Sequence, residues 1–270
     1  MAANPLGAGR RVRAGLRLGS IVVVAIVLLG AVAAVVGAHY ATKPPSPPTN
    51  FPAPTLEIVT GSGTPTQDEN LLAVAPMLQL PAQAAQPQAM TAGSAGPVLA
   101  IARPTISVNR WIPGGFPDTP EGALGQLKAL NETALASADP QVYARGYREL
   151  SEPGAPDPGS TGLAALLRSM RSRAQLPATG SVAGLTASYL VTHGQVKGAV
   201  PASHYVVVCV LGQLSIGFNG EVAAAGVGDC QAMRWSGTEW RIASGALAAA
   251  APCAWPGSAD MVKAGYRELS

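Results

Sequence analysis

Four patterns of apolar and polar positions follow one another along the chain. Residues 18–38, LGSIVVVAIVLLGAVAAVVGA, are 21 residues without a charge. At about 1.5 Å per helical residue they span roughly 31 Å, the depth of a hydrocarbon core, which predicts a transmembrane helix over 18–40. From 41 to 110 no hydrophobic period is sustained, and 15 of the chain's 24 prolines fall between Pro44 and Pro120. Repeated X-Pro steps disfavour helix and favour extended backbone, so 41–110 reads as a disordered, Pro-rich tether. Its one apolar island, LLAVAPMLQL at 71–80, is broken by Pro76; packing on a partner or on the distal domain is the alternative, and a short transient contact is the favoured expectation.

Helical spacing begins near residue 120. Thr119 is a good N-cap, Pro120 suits the first helical position, and Glu121 faces the positive helix end. Ala123, Leu127, Leu130 and Ala134 recur at helical intervals, widened by Leu124 and Leu135. Asp139-Pro140 opens a second helix carrying Tyr143, Tyr147 and Leu150. A third, over about 161–174, presents Leu163, Leu166, Leu167 and Met170, with Arg168, Arg171 and Arg173 placed opposite. The period then changes to that of strands: 185–200, 203–218 and 221–235, closed by a hairpin at Ser236-Gly237 between Trp235 and Trp240. The second strand is apolar on both faces, as in a strand covered on each side. The prediction is an α+β domain over 111–270, with about three helices on a curved four-stranded antiparallel sheet.

The hexapeptide GYRELS occurs at 146–151 and at 265–270, each time after Ser-Ala-Asp. Nothing else around the copies aligns. They read as one capped amphipathic turn used twice, the second ending a short C-terminal helix, and the folded unit as single.

Charge refines the layout. Arg10, Arg11, Arg13 and Arg17 precede the apolar segment with no acid among them, and the rest of the chain carries 14 Lys and Arg against 15 Asp and Glu. The basic character is therefore a cytoplasmic flank over 1–17 and not a nucleic-acid-binding face. With Lys43 alone soon after the segment, the N-terminus is placed in the cytoplasm and the domain outside it. A cleaved secretory signal is the rival reading, although such apolar regions are usually shorter, about 7–15 residues. Ala33 and Gly37, or Ala34 and Ala38, have the small-xxx-small spacing of close helix contacts.

The strings GFPDTPEGALGQLKALNETAL and DCQAMRWSGTEWRIASG, with the anchor and tether, resemble membrane proteins of actinobacterial conjugative elements. The outer domain of such proteins resembles the nuclear-transport-factor-2-like fold, which also forms the bridging scaffold subunit of type IV secretion and conjugation channels. The resemblance covers about 111–245. It implies a structural assembly role beside other apparatus subunits and supplies no catalytic residue to carry over; no cofactor or metal is expected.

Few residues are candidates for chemistry. His193 and His204 lie on neighbouring predicted strands and could face one another, His39 sits at the membrane edge, and no Cys/His/acid cluster has metal-ligand spacing. Cys209, Cys230 and Cys253 lie, by topology, in an oxidising compartment. Cys230–Cys253 is the favoured pair, fastening the loop AAPCAWPG, with Cys209–Cys230 or no bridge as alternatives. Cys230 with His204 and Arg234 sketches a sortase-like thiol site whose surroundings do not match. Small enzymes of this fold class place a carboxylate or His inside the domain as a base; Asp229, His204 and Tyr189 are the candidates. Trp111 and Trp255 are contact-anchor candidates, with Trp235 and Trp240 behind them. The leading expectation is a non-enzymatic single-pass scaffold that meets other apparatus subunits and can form a homo-oligomer as its anchor assembles with them. The alternatives are a small-ligand-binding or isomerase-like domain and a secreted wall-associated protein.

Overall fold

The computed structural model describes residues 57–58, 64–108 and 110–270. The basic flank, the apolar segment 18–40, His39 and most of 41–63 lie outside them. Among the described residues no helix is long and apolar enough to cross a membrane.

The helices are α1 (Pro65–Val74), α2 (Pro120–Ala134), α3 (Pro140–Glu149), α4 (Gly162–Arg173) and α5 (Ala259–Lys263). Two of the caps, Thr119 and Asp139, are those the sequence announces, and Thr161 is a third that the structure adds. Thr119 accepts from the Gly122 amide, Asp139 from Gln141 and Thr161 from Ala164, each offsetting one orphan N–H of its helix. The strands are β1 (Glu57–Ile58), β2 (Leu185–Val200), β3 (Tyr205–Phe218), β4 (Glu221–Trp235), β5 (Trp240–Ile242) and β6 (Arg267–Glu268). β2 to β5 form an antiparallel meander in chain order. β1 pairs in parallel with one end of β2 and β6 antiparallel with its middle, so the sheet has six strands where four were expected. Asn219 and Gly220, at φ 52° and 84°, make the two-residue turn between β3 and β4.

One face of this sheet carries α2, and behind it α3 and α4, over a core of Leu124, Leu127, Leu130, Tyr143, Tyr147, Leu163, Val208, Val210 and Leu214. The opposite face is covered too. Leu72 and Ala73 of α1 pack on Val200, Tyr205, Val207 and Ala232, while Leu80, Ala84, Met261, Ala264 and Tyr266 pack on Cys209, Leu211 and Cys230. That double cover explains why β3 is apolar on both sides.

The second cover corrects the tether expectation for 64–108. The Glu69 carboxylate, 5% exposed, meets Arg234 at 2.6 Å, and Arg234 also holds Glu152 at 2.8 Å. Tyr205 donates to the Glu69 carbonyl, Lys197 to the Ala73 carbonyl, and the Ala246 amide to Asn70. Pro76 does not abort the apolar island; it follows a helix that has already ended at Val74. Replacing Leu72 by Ala is accordingly expected to cost about 2 kcal/mol in urea unfolding, where a tether residue would cost nothing measurable.

The two GYRELS copies differ. Gly146–Glu149 finishes α3, whereas Gly265, at φ +86°, ends the short helix and turns Arg267–Glu268 into strand β6. The expectation of two equivalent turns fails because the second copy meets the open edge of β2, whose ladder hydrogen bonds outweigh another helical turn.

Candidate functional site

Odd-numbered residues of β4 point to the helical layer and even-numbered ones to the opposite cover, so neighbours in sequence serve different faces. Asp229 points inward, 5% exposed, and accepts from the Asn131 side chain of α2 and from Gln231, both at 2.9 Å. Burial raises its carboxyl from the ordinary 3.8 to about 6, against the lowering effect of those two amide donors. Gln231 in turn accepts from Tyr147 at 3.4 Å, and Tyr189 donates to the Val227 carbonyl at 2.7 Å. Burial, then the Asp229 charge, hold the phenols of Tyr143, Tyr147 and Tyr189 above their usual range. Asn131 Oδ1 and the Tyr143 hydroxyl have no hydrogen-bond partner.

The interior therefore brings together two of the three predicted base candidates, Asp229 and Tyr189, and excludes the third. His204 stands beyond the end of β3 in left-handed conformation, 3.0 Å from Asp118 at the surface. Nor does it face His193, which is opposite Leu211 in the β2–β3 register; burial lowers the His193 pKa and Glu268 opposes that. Asn131 and Gln231 belong to the site without being candidates from sequence. The signals exist: Asn131 is a polar residue four after Leu127 on an apolar stripe, and Gln231 shares the Asp229 face by strand parity.

Cys209 and Cys230 are directly opposed on β3 and β4, with Cα atoms 4.0 Å apart, and are joined by a disulfide. This corrects the favoured Cys230–Cys253 pairing, for the strap carrying Cys253 lies elsewhere on β4. Gly226 and Gly228 let that strap approach: a Cβ at either would sit within 2.4 Å of the Ala254 or Pro252 carbonyl. The Gly228 amide donates to the Cys253 sulfur at 3.4 Å. With Cys230 bridged and Arg234 engaged by two carboxylates, the sortase-like arrangement does not exist. Burial pushes the Cys253 thiol up, more than the Gly228 amide lowers it. A thiol reagent at pH 8 is thus expected to find no reactive cysteine in the native chain and one after unfolding without reductant.

Trp111 carries the Arg145 guanidinium over its ring at 4.1 Å, and Trp255 is tied through its backbone amide to the Ala84 carbonyl at 2.7 Å. Both are half-buried. Trp240 is buried, stacks edge-on against Trp235 at 5.6 Å and donates to the Pro117 carbonyl. Among the described residues no group of three His, Cys, Asp or Glu could hold a metal. An open groove of about 450 Å³ lies between α3 and α4, floored by Ala144 and Ala164 and walled by Arg148, Arg168 and Asp157.

No family model, no curated protein and no solved structure matches the chain.

Proposed function

We propose that this chain is a non-enzymatic, single-pass membrane scaffold subunit of a conjugative DNA-transfer or secretion apparatus. In this reading its nuclear-transport-factor-2-like head stands outside the cytoplasm and binds other subunits. One observation carries the non-enzymatic part. Asp229, whose pKa burial raises furthest among the carboxylates of the described residues, is capped by two amides. It is closed in between a helical layer and a sheet whose other face is also covered. A base needs a substrate proton within hydrogen-bond reach, and both carboxylate oxygens here already serve the fold. What remains available to partners is exterior: the groove of Arg148 and Arg168, and the short unpaired stretch of the β2 edge at Ala187 and Tyr189. The apparatus itself is inferred from the resemblance of PDTPEGA and DCQAMRW. The anchor is inferred from residues 18–38, and no cofactor or metal enters the mechanism.

A second reading, an isomerase-like domain, is favoured by the Asp229 carboxyl titrating near 6 beside Tyr189 and Tyr147. One experiment separates the two. In a host whose copy is deleted, DNA transfer is expected to fall by at least a hundredfold and to be restored equally by the parent chain and by Asp229→Asn. Failure of Asp229→Asn to restore transfer, with normal protein levels, would favour the enzyme; undiminished transfer in the deletion would remove the apparatus role.

A further inference from the structure

Nearly the whole outer edge of β2 is covered. β1 takes Gly198 and Ala199, β6 takes His193 and Gly194, and the Leu269 amide donates to the Thr192 carbonyl. At Val191 side chains of α2 stand in for a strand: Lys128 donates to its carbonyl and Glu132 accepts from its amide, both at 2.9 Å. The register then runs unbroken from Val191 to Leu185, so the amides and carbonyls of Ala187 and Tyr189 point outward as those of Val191 do. Among the described residues nothing pairs with them. Leu190 is 60% exposed beside this stretch.

Edge strands are normally blunted by charge, proline or a bulge. GLTASYLVT, residues 184–192, contains none of the first two, and the register breaks of β2 lie only beyond Val191. We propose that this edge is the contact through which a second copy of the chain docks, β2 against β2, antiparallel, about a two-fold axis at Ser188. The open length selects this occupant. It is bounded by the Lys128/Glu132 clamp at one end and by the Leu185 amide, bonded to Val182, at the other. Between them lie just two outward-facing residues, and an antiparallel copy matches them reciprocally: Ala187 meets Tyr189 of the second copy, and Tyr189 meets its Ala187. Leu190 then lies opposite Thr186 of the other copy and loses its exposure. A single strand pair buries less than the roughly 1,000 Å² of a stable interface, so the contact acts between chains concentrated on one membrane. In that respect it rests on the anchored-scaffold reading.

Ser188 would face its own copy across the axis, in the directly opposed geometry that already joins Cys209 to Cys230. The full chain carrying Ser188→Cys, oxidised in membranes, is expected to give a disulfide-linked band of twice the chain mass on a non-reducing gel. Ser172→Cys, exposed on α4, is the control expected to give none. Adding Ala187→Pro, which removes one outward amide, should lower the Ser188→Cys band at least tenfold. Leu190→Lys, which leaves the backbone intact, should do the same, each with an unchanged melting temperature. Absence of the Ser188→Cys dimer, or a band indifferent to both second substitutions, overturns the proposal. A chain that supports transfer yet gives no such dimer overturns the edge pairing alone and leaves the scaffold reading standing.

Discussion

Arg171→Ala is expected to destabilise the domain by about 4 kcal/mol, the scale of losing three hydrogen bonds from a buried charged group. Arg171 is fully buried, and its guanidinium spends its donors on three carbonyls: Ala138 at 2.7 Å, Pro177 at 2.9 Å and Gly180 at 2.8 Å. These fasten the end of α4 and the 177–180 loop to the segment that starts α3. Asp139 adds to the same knot, accepting from the Gly180 amide while it caps α3. Removing the side chain leaves the buried Ala138 carbonyl and the part-buried Pro177 and Gly180 carbonyls without their donors, and leaves a void where the fully buried side chain stood. Arg171→Lys keeps the charge but not the planar fork, so most of the loss should persist. For a domain of this size about 4 kcal/mol corresponds to a fall in melting temperature of roughly 8–16 °C. A loss below about 1 kcal/mol in urea titration would contradict this assignment.

Asp229→Asn should act in the opposite direction. The carboxyl titrates near 6 in the folded chain and at about 3.8 when free. Between those pH values the folded state holds a proton that the unfolded state has lost. The contribution of this group to stability is therefore full below about pH 4, declines as pH rises, and is gone above about 6. The difference amounts to about 3 kcal/mol at neutral pH. Asparagine is uncharged and nearly isosteric. Its amide can face Asn131 once that side chain turns its unpartnered Oδ1 inward. The substituted chain is expected to be more stable than the parent at pH 7.5 by up to about 3 kcal/mol, and to lose the decline in stability between pH 4 and 6. Urea titrations at pH 4, 6 and 7.5 check both, and a substitution that destabilises at pH 7.5 would place the charged carboxylate among the fold's supports instead of its costs.

Capping and periodicity make much of the domain legible. Thr119 and Asp139 announce two helices, the spacing of Leu163, Leu166, Leu167 and Met170 a third, and the strands fall where β-branched runs end in turn residues. Residues 64–108 are not legible. Their proline content argues for an unfolded chain when each segment is judged alone, but Leu72, Ala73, Leu80 and Ala84 gain their stability from a sheet face far away in sequence. The apolar character of β3 on both sides is the clue that such a second cover exists. Arg171 misleads for a related reason. Residue type groups it with Arg168 and Arg173, although its position four after Leu167 and beside Met170 puts it on the inner face. The disulfide is not readable either, since a cross-strand bridge depends on register, and one residue of slip would turn Cys209 away from Cys230.

Placement outside the cytoplasm is what the scaffold proposal depends on most. Intact host cells carrying a C-terminally tagged chain can be treated with an external protease that cannot enter them. The expected result is cleavage between the apolar segment and Glu69, releasing a tagged fragment that resists further digestion and still contains Glu69 and Leu72. Protection of the tag in intact cells, with digestion only after lysis, would contradict it.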